Sequence, residues 1–131
     1  DFKAASDDAD DCLRAILEYV LVPDPSAERA ALTNVLVELR GQAPHNETFR
    51  AYFSENDRQF RRDLAAIVER GIEEGVYRPV DAEAVAAFLL TVMSGESMRR
   101  ATTDETVDSD AVRAELDAYV RARLLRDDAT E

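Results

Sequence analysis

Apolar side chains recur at three- and four-residue intervals in five stretches of this chain, and no stretch alternates as a half-buried strand would. The first, residues 8–22, places Leu13, Ile16, Leu17, Val20 and Leu21 on one stripe. Asp7 or Asp8 is positioned to cap it, its acidic first turn suits the helix dipole, and Pro23, Asp24 and Pro25 end it. The second, residues 27–40, turns Ala31, Leu32, Val35, Leu36 and Leu39 to one side. Ser26 is its candidate cap and Gly41 its stop; Arg29 stands where a capping box would need Glu. The third, residues 47–74, starts at an Asn46 cap and would span about 40 Å, long enough to scaffold the others. Its stripe is Phe49, Phe53, Phe60, Leu64 and Ile67. Gly71 falls on the same line, where a missing side chain lets a neighbouring helix come close.

Gly75 then stops the helix, Pro79 follows, and Val76 and Tyr77 seal the turn with apolar contacts. Asp81 caps a fourth helix, residues 82–100; Ala84 leaves its capping box incomplete. The apolar residues of that helix, among them Val85, Phe88, Leu89, Val92 and Met93, cover about 200° of the wheel, where a one-sided helix shows about 100°. A polar, acidic loop over residues 101–109 leads to a fifth helix, residues 110–126. One side of it carries Val112, Leu116, Tyr119, Val120 and Leu124. The other carries Ala111, Ala114, Ala118, Ala122 and Leu125, small residues that permit close packing.

The pattern predicts an all-α fold of about five helices in a single domain over residues 1–131. The last two helices carry more apolar arc than one copy readily covers, since solitary proteins rarely expose patches beyond a few hundred Å². A homodimer that pairs them about a two-fold axis covers it, with Phe88, Val92, Ala111, Ala114, Ala118, Ala122 and Leu125 at the interface. A central core position for the fourth helix would explain that helix alone, and leave the alanine side of the fifth bare.

The long third helix, its Gly-x-x-x-Gly-x-Tyr-x-x-x-Asp exit and the apolar helix after it resemble the C-terminal ligand-binding and dimerisation domain of tetracycline-repressor-type (TetR) transcriptional regulators. The matching residues are Leu64, Ile67, Gly71, Gly75, Tyr77, Asp81, Ala86, Leu90 and Gly95, and the likeness is clearest over residues 49–99. These residues are mostly helix punctuation, and none of them does chemistry. The resemblance implies the same dimer, an effector pocket among helices one to four, and DNA contact only through an upstream helix-turn-helix domain. No short basic pattern of that kind precedes Cys12.

Charge changes the picture more than hydropathy does. Acidic residues number 28 against 16 basic ones, a net charge of -12, and Lys3 is the sole lysine. A field of that sign repels phosphate, so this chain alone is not expected to bind nucleic acid. The balance reads either as a soluble acidic surface or as adaptation to an extreme halophile. No signal peptide and no apolar run near the roughly 20 residues of a membrane span is present, and the single cysteine, Cys12, suits a cytoplasmic protein.

No catalytic, metal or cofactor constellation stands out. His45, the only histidine, lies in a Pro-His-Asn linker, and the acidic pairs are solvated charge. The arginine doublets 61–62 and 99–100 are expected to pair with neighbouring carboxylates, the alternative being that they point at an anion. A site for a small apolar effector is the better expectation. Asn56 projects between Phe53 and Phe60, and either satisfies its amide against another helix or orients a ligand in an apolar cavity. Asn34 could converge on the same space, and Leu17, Phe53, Phe60 and Met93 would form the wall. A helical dimerisation module that binds another protein and no ligand is the second reading.

Overall fold

The computed structural model describes residues 8–21, 27–104 and 109–127. It contains the helices α1 (Ala9–Leu21), α2 (Ala27–Gln42), α3 (Glu47–Glu73), α4 (Ala82–Thr102) and α5 (Ser109–Tyr119). A 3₁₀ turn (Ala43–His45) joins α2 to α3, and a π turn (Val120–Leu124) ends α5. The fold is all-α, with no strand among the described residues. Three of the expected caps form: Asp8 accepts from the backbone of Asp11 at 2.8 Å, Asn46 from Phe49 at 3.1 Å and Asp81 from Ala84 at 3.2 Å. The alternative cap Asp7, the cap Ser26 and the Pro23–Pro25 stop lie outside the described residues.

α1, α3 and α4 enclose the core together with one side of α5. Leu13, Leu21, Leu64, Val68, Leu89, Val120 and Leu124 are all fully buried there. The stripe on α3 splits along its length. Leu64 and Ile67 enter the core, whereas Phe60 only packs against its edge.

The α3–α4 turn is built around Tyr77. Gly75 takes a positive φ of 78°, which an L side chain rarely adopts, and reverses the chain. The buried Tyr77 ring then folds back onto α3 at Gly71. A Cβ on Gly71 would lie 2.2 Å from Cδ2 of that ring. The glycine therefore makes room for a ring of its own turn, and not for the neighbouring helix that its place on the stripe suggested. The Tyr77 contact is also not purely apolar, because its hydroxyl donates to Asp10 on α1 at 2.9 Å. Burial, then the charge of Asp10, push the phenol well above its ordinary pKa, so it remains a donor.

Beyond α5 the chain runs antiparallel to this turn. Arg126 donates its backbone N–H to Val76 at 3.1 Å, and Arg78 donates its own to Leu124. The π turn closes through a bond from Leu125 N–H to the Val120 carbonyl at 3.0 Å, adding a residue to the last turn. That extra residue and the extended backbone after it carry Leu125 off the alanine side and into the chain's own core, 9% exposed. Ala111, Ala114, Ala118 and Ala122 stay exposed.

α2 departs from its expected packing. None of its residues is buried, and Leu32, Val35 and Leu36 are 59%, 51% and 36% exposed. The helix lies over a groove and not onto the core, so its apolar side meets open space. Among the arginine doublets, Arg100 lies 3.8 Å from Glu96 and donates to the Leu21 carbonyl at 3.3 Å.

Candidate functional site

A groove beneath α2 has a volume of about 880 Å³. That is within the range of small-molecule sites. α3 supplies its floor through Phe53, Asn56, Asp57, Phe60 and Arg61, spaced at three and four residues and so aligned on one face. α4 supplies Leu90 and Met93 with the hydroxyls of Thr91, Ser94 and Ser97 at one wall. α2 closes the other side with Leu36, Val37 and Arg40, and Val20 of α1 reaches its end. The α4 wheel explains this arrangement. One apolar arc faces the core through Val85, Ala86 and Leu89, and the adjoining arc faces the groove.

Four of the residues singled out from sequence, Phe53, Asn56, Phe60 and Met93, line the groove. Two do not. Leu17 is in the core and lines a small cleft with Leu116 of α5, while its stripe neighbour Val20 is the α1 residue that reaches the groove. Asn34 is exposed and does not reach the groove. Asn56 is itself exposed, so its amide needs no protein partner.

The groove's polar chemistry centres on two groups that sequence reasoning missed. The Arg40 guanidinium donates to Asp57 through both amino groups, at 3.1 and 2.7 Å. Its central carbon sits 4.6 Å from the centre of the Phe53 ring. Phe53 is buried, with Tyr52 edge-on to it at 5.2 Å. Arg61, one turn beyond Asp57, has no carboxylate partner among the described residues. Asp57 could have been read from the wheel, since it shares the face of Phe53 and Phe60, as does Arg61, which the sequence singled out only as half of a doublet expected to be ion-paired. Arg40 could not, because its role depends on how α2 crosses α3. No group of three or more metal-ligating side chains occurs among the described residues.

On the far side of α4 from the groove, Phe88 is 45% exposed and stacks on Tyr119 of α5 at 4.7 Å between ring centres. Val92 on the same face is half-buried against the chain's own core. The exposed alanines of α5 continue this surface. Leu125 does not, being covered from within.

Comparison with known proteins agrees with this architecture. Residues 9–125 match the family described as BetI-type transcriptional repressor, C-terminal. A TetR transcription regulator from Haloarcula marismortui ATCC 43049 is 35% identical, with a TM-score of 0.79 over 91% of this chain and 62% of that one. A transcriptional regulator from Saccharomonospora viridis in complex with choline is 21% identical, with a TM-score of 0.78 over 92% of this chain and 62% of that one. The chain thus spans less than two thirds of the regulators it resembles, and no curated protein sequence matches it. By its fold and by a family match over nearly its whole length, the chain belongs to the BetI-type C-terminal domains of TetR-family transcriptional regulators.

Proposed function

We propose that this chain is the single effector-binding and dimerisation domain of a BetI-type repressor, and that a small, largely apolar effector binds in the groove between α2, α3 and α4. The observation that carries the reading is the groove itself. It combines apolar walls from Phe53, Phe60, Leu90 and Met93 with a few convergent polar groups, the usual make-up of a ligand site. The choline held by the Saccharomonospora viridis regulator supports a small organic effector here too. The effector acts through its different affinity for two arrangements of the helices, and that difference changes the DNA affinity of the full cytoplasmic protein.

Dimerisation is proposed through α4 and α5, with Phe88, Val92, Ala111, Ala114, Ala118 and Ala122 facing their symmetry mates. Leu125 leaves this set because it is spent on its own core. A solvatochromic apolar dye should bind with one site per chain and be lost in Phe60→Asp, while Ala118→Asp should halve the light-scattering mass. Unsaturable dye binding, or binding indifferent to Phe60→Asp, refutes the effector site. A monomeric wild type refutes the dimer.

A further inference from the structure

Among the described residues Glu96 is the one charged side chain buried in the interior, at 3% exposed. It lies three residues beyond Met93 on the core-facing side of α4, and is the last residue of that helix to be buried. Neither carboxyl oxygen has a hydrogen-bond partner among the described residues, and both are closed off from solvent. Arg100 stands 3.8 Å away, too far to donate, with its own buried Nε unpartnered. Its contact with the Leu21 carbonyl at the end of α1 is long, at 3.3 Å. Burial without partners disfavours the very arrangement that buries these groups.

The helix is also weakest just before this residue. Ser94 and Gly95 form the kind of pair at which helices bend. A Cβ on Gly95 would meet no neighbouring atom within 4 Å, so no packing among the described residues calls for a glycine there, although glycine weakens a helix interior. One turn earlier the Thr91 hydroxyl donates to the Ala87 carbonyl at 2.9 Å, a back-bond that loosens the helical ladder. Residues 97–102 bury no side chain. We infer that α4 is hinged at Ser94–Gly95: its last two turns, residues 96–102, swing away from the end of α1 and carry Glu96 and Arg100 into water. Closing keeps the α4 ladder straight and the Arg100 contact with Leu21. Opening hydrates a carboxyl and a guanidinium that are poorly paired when closed. Ser94, Gly95, Ser97 and Met98 also line the groove, so the same swing moves that wall. It supplies two helix arrangements between which an effector can discriminate. The hinge itself needs no ligand and goes beyond the effector site.

The test follows amide exchange along α4 and thermal unfolding in the 131-residue chain, Gly95→Ala and Glu96→Met, with Glu96→Leu as a second variant should Glu96→Met fold poorly. In the wild type, residues 97–102 are expected to exchange as one unit, at least about tenfold faster than residues 86–93, with the step at Gly95. Simple fraying would instead give a gradient inward from Thr102. Gly95→Ala should slow exchange over residues 97–102 about fivefold, the worth of alanine over glycine in a helix interior. Glu96→Met should slow it about tenfold and raise the thermal midpoint by about 4 °C, because an apolar side chain of similar length leaves no carboxyl unpartnered in the core. Arg100 is 31% exposed, and turns outward to hydrate once its neighbour is gone.

A gradient with no step at Gly95, unchanged exchange in Gly95→Ala, or a lower midpoint in both Glu96 variants overturns the hinge. If Gly95→Ala halves the light-scattering mass or abolishes dye binding while exchange stays the same, the glycine makes room for a partner or a ligand and the hinge is wrong. If the apolar dye binds at one site per chain and no variant changes exchange, the effector site stands and the hinge falls. If the exchange and midpoint results hold and no dye binds, the hinge stands and the effector site falls.

Discussion

Replacing Gly71 by alanine separates helix propensity from tertiary packing, because the two act in opposite directions. Gly71 lies in the last turn of α3, where alanine by propensity alone would stabilise by about 1 kcal/mol. The new Cβ would stand 2.2 Å from Cδ2, 2.7 Å from Cε2 and 2.9 Å from Cγ of Tyr77, so one whole edge of the ring is struck. The ring has little room to yield. It is fully buried, its hydroxyl is bonded to Asp10, and its backbone N–H is bonded to the Gly71 carbonyl at 3.0 Å. Overpacking of this kind costs about 1–3 kcal/mol, and a ring forced aside also strands the phenol for about 1–2 kcal/mol more. Less the propensity gain, the net loss is about 1–4 kcal/mol, or roughly 4–16 °C in Tm for a chain of this length. Urea and thermal unfolding of Gly71→Ala, Tyr77→Ala and the double variant measure it. In the Tyr77→Ala background the clash is gone, so Gly71→Ala should there turn neutral or stabilising. If Gly71→Ala is as stable as wild type, or costs the same with and without the ring, the account of this turn is refuted.

The remaining predictions concern pH and salt. The Tyr77 phenol is held neutral in the folded chain by burial and by Asp10, whereas an unfolded tyrosine ionises near 10.0. Above that pH the unfolded chain binds fewer protons than the folded one, so stability is intact below pH 10.0 and declines as pH rises beyond it. Tyr77→Phe should lose about 1 kcal/mol at neutral pH and flatten this alkaline decline, as read from denaturation midpoints between pH 8 and 11. Self-repulsion of the net charge of -12 should make the chain markedly more stable in molar salt than in dilute buffer. Identical unfolding midpoints in the two conditions would remove the halophilic reading.

The sequence by itself determined what depends on neighbours a few residues away. Helix periodicity, the caps at Asp8, Asn46 and Asp81, and the reversal at Gly75 are short-range matters, so all five helices could be read in place. The punctuation of the α3–α4 turn was also enough to point to the regulator family. Tertiary structure decided which helix faces meet protein and which meet open space. An apolar stripe looks the same on a wheel whether it enters a core, as Leu17 does, or overhangs a groove, as Leu36 does. The same holds at single residues. Gly71 is small for the sake of a ring six residues on, and the π turn moves Leu125 from one side of α5 to the other. The Arg40–Asp57–Phe53 cluster exists only because α2 crosses α3 at one place. That crossing is fixed by long-range packing, which no local pattern encodes.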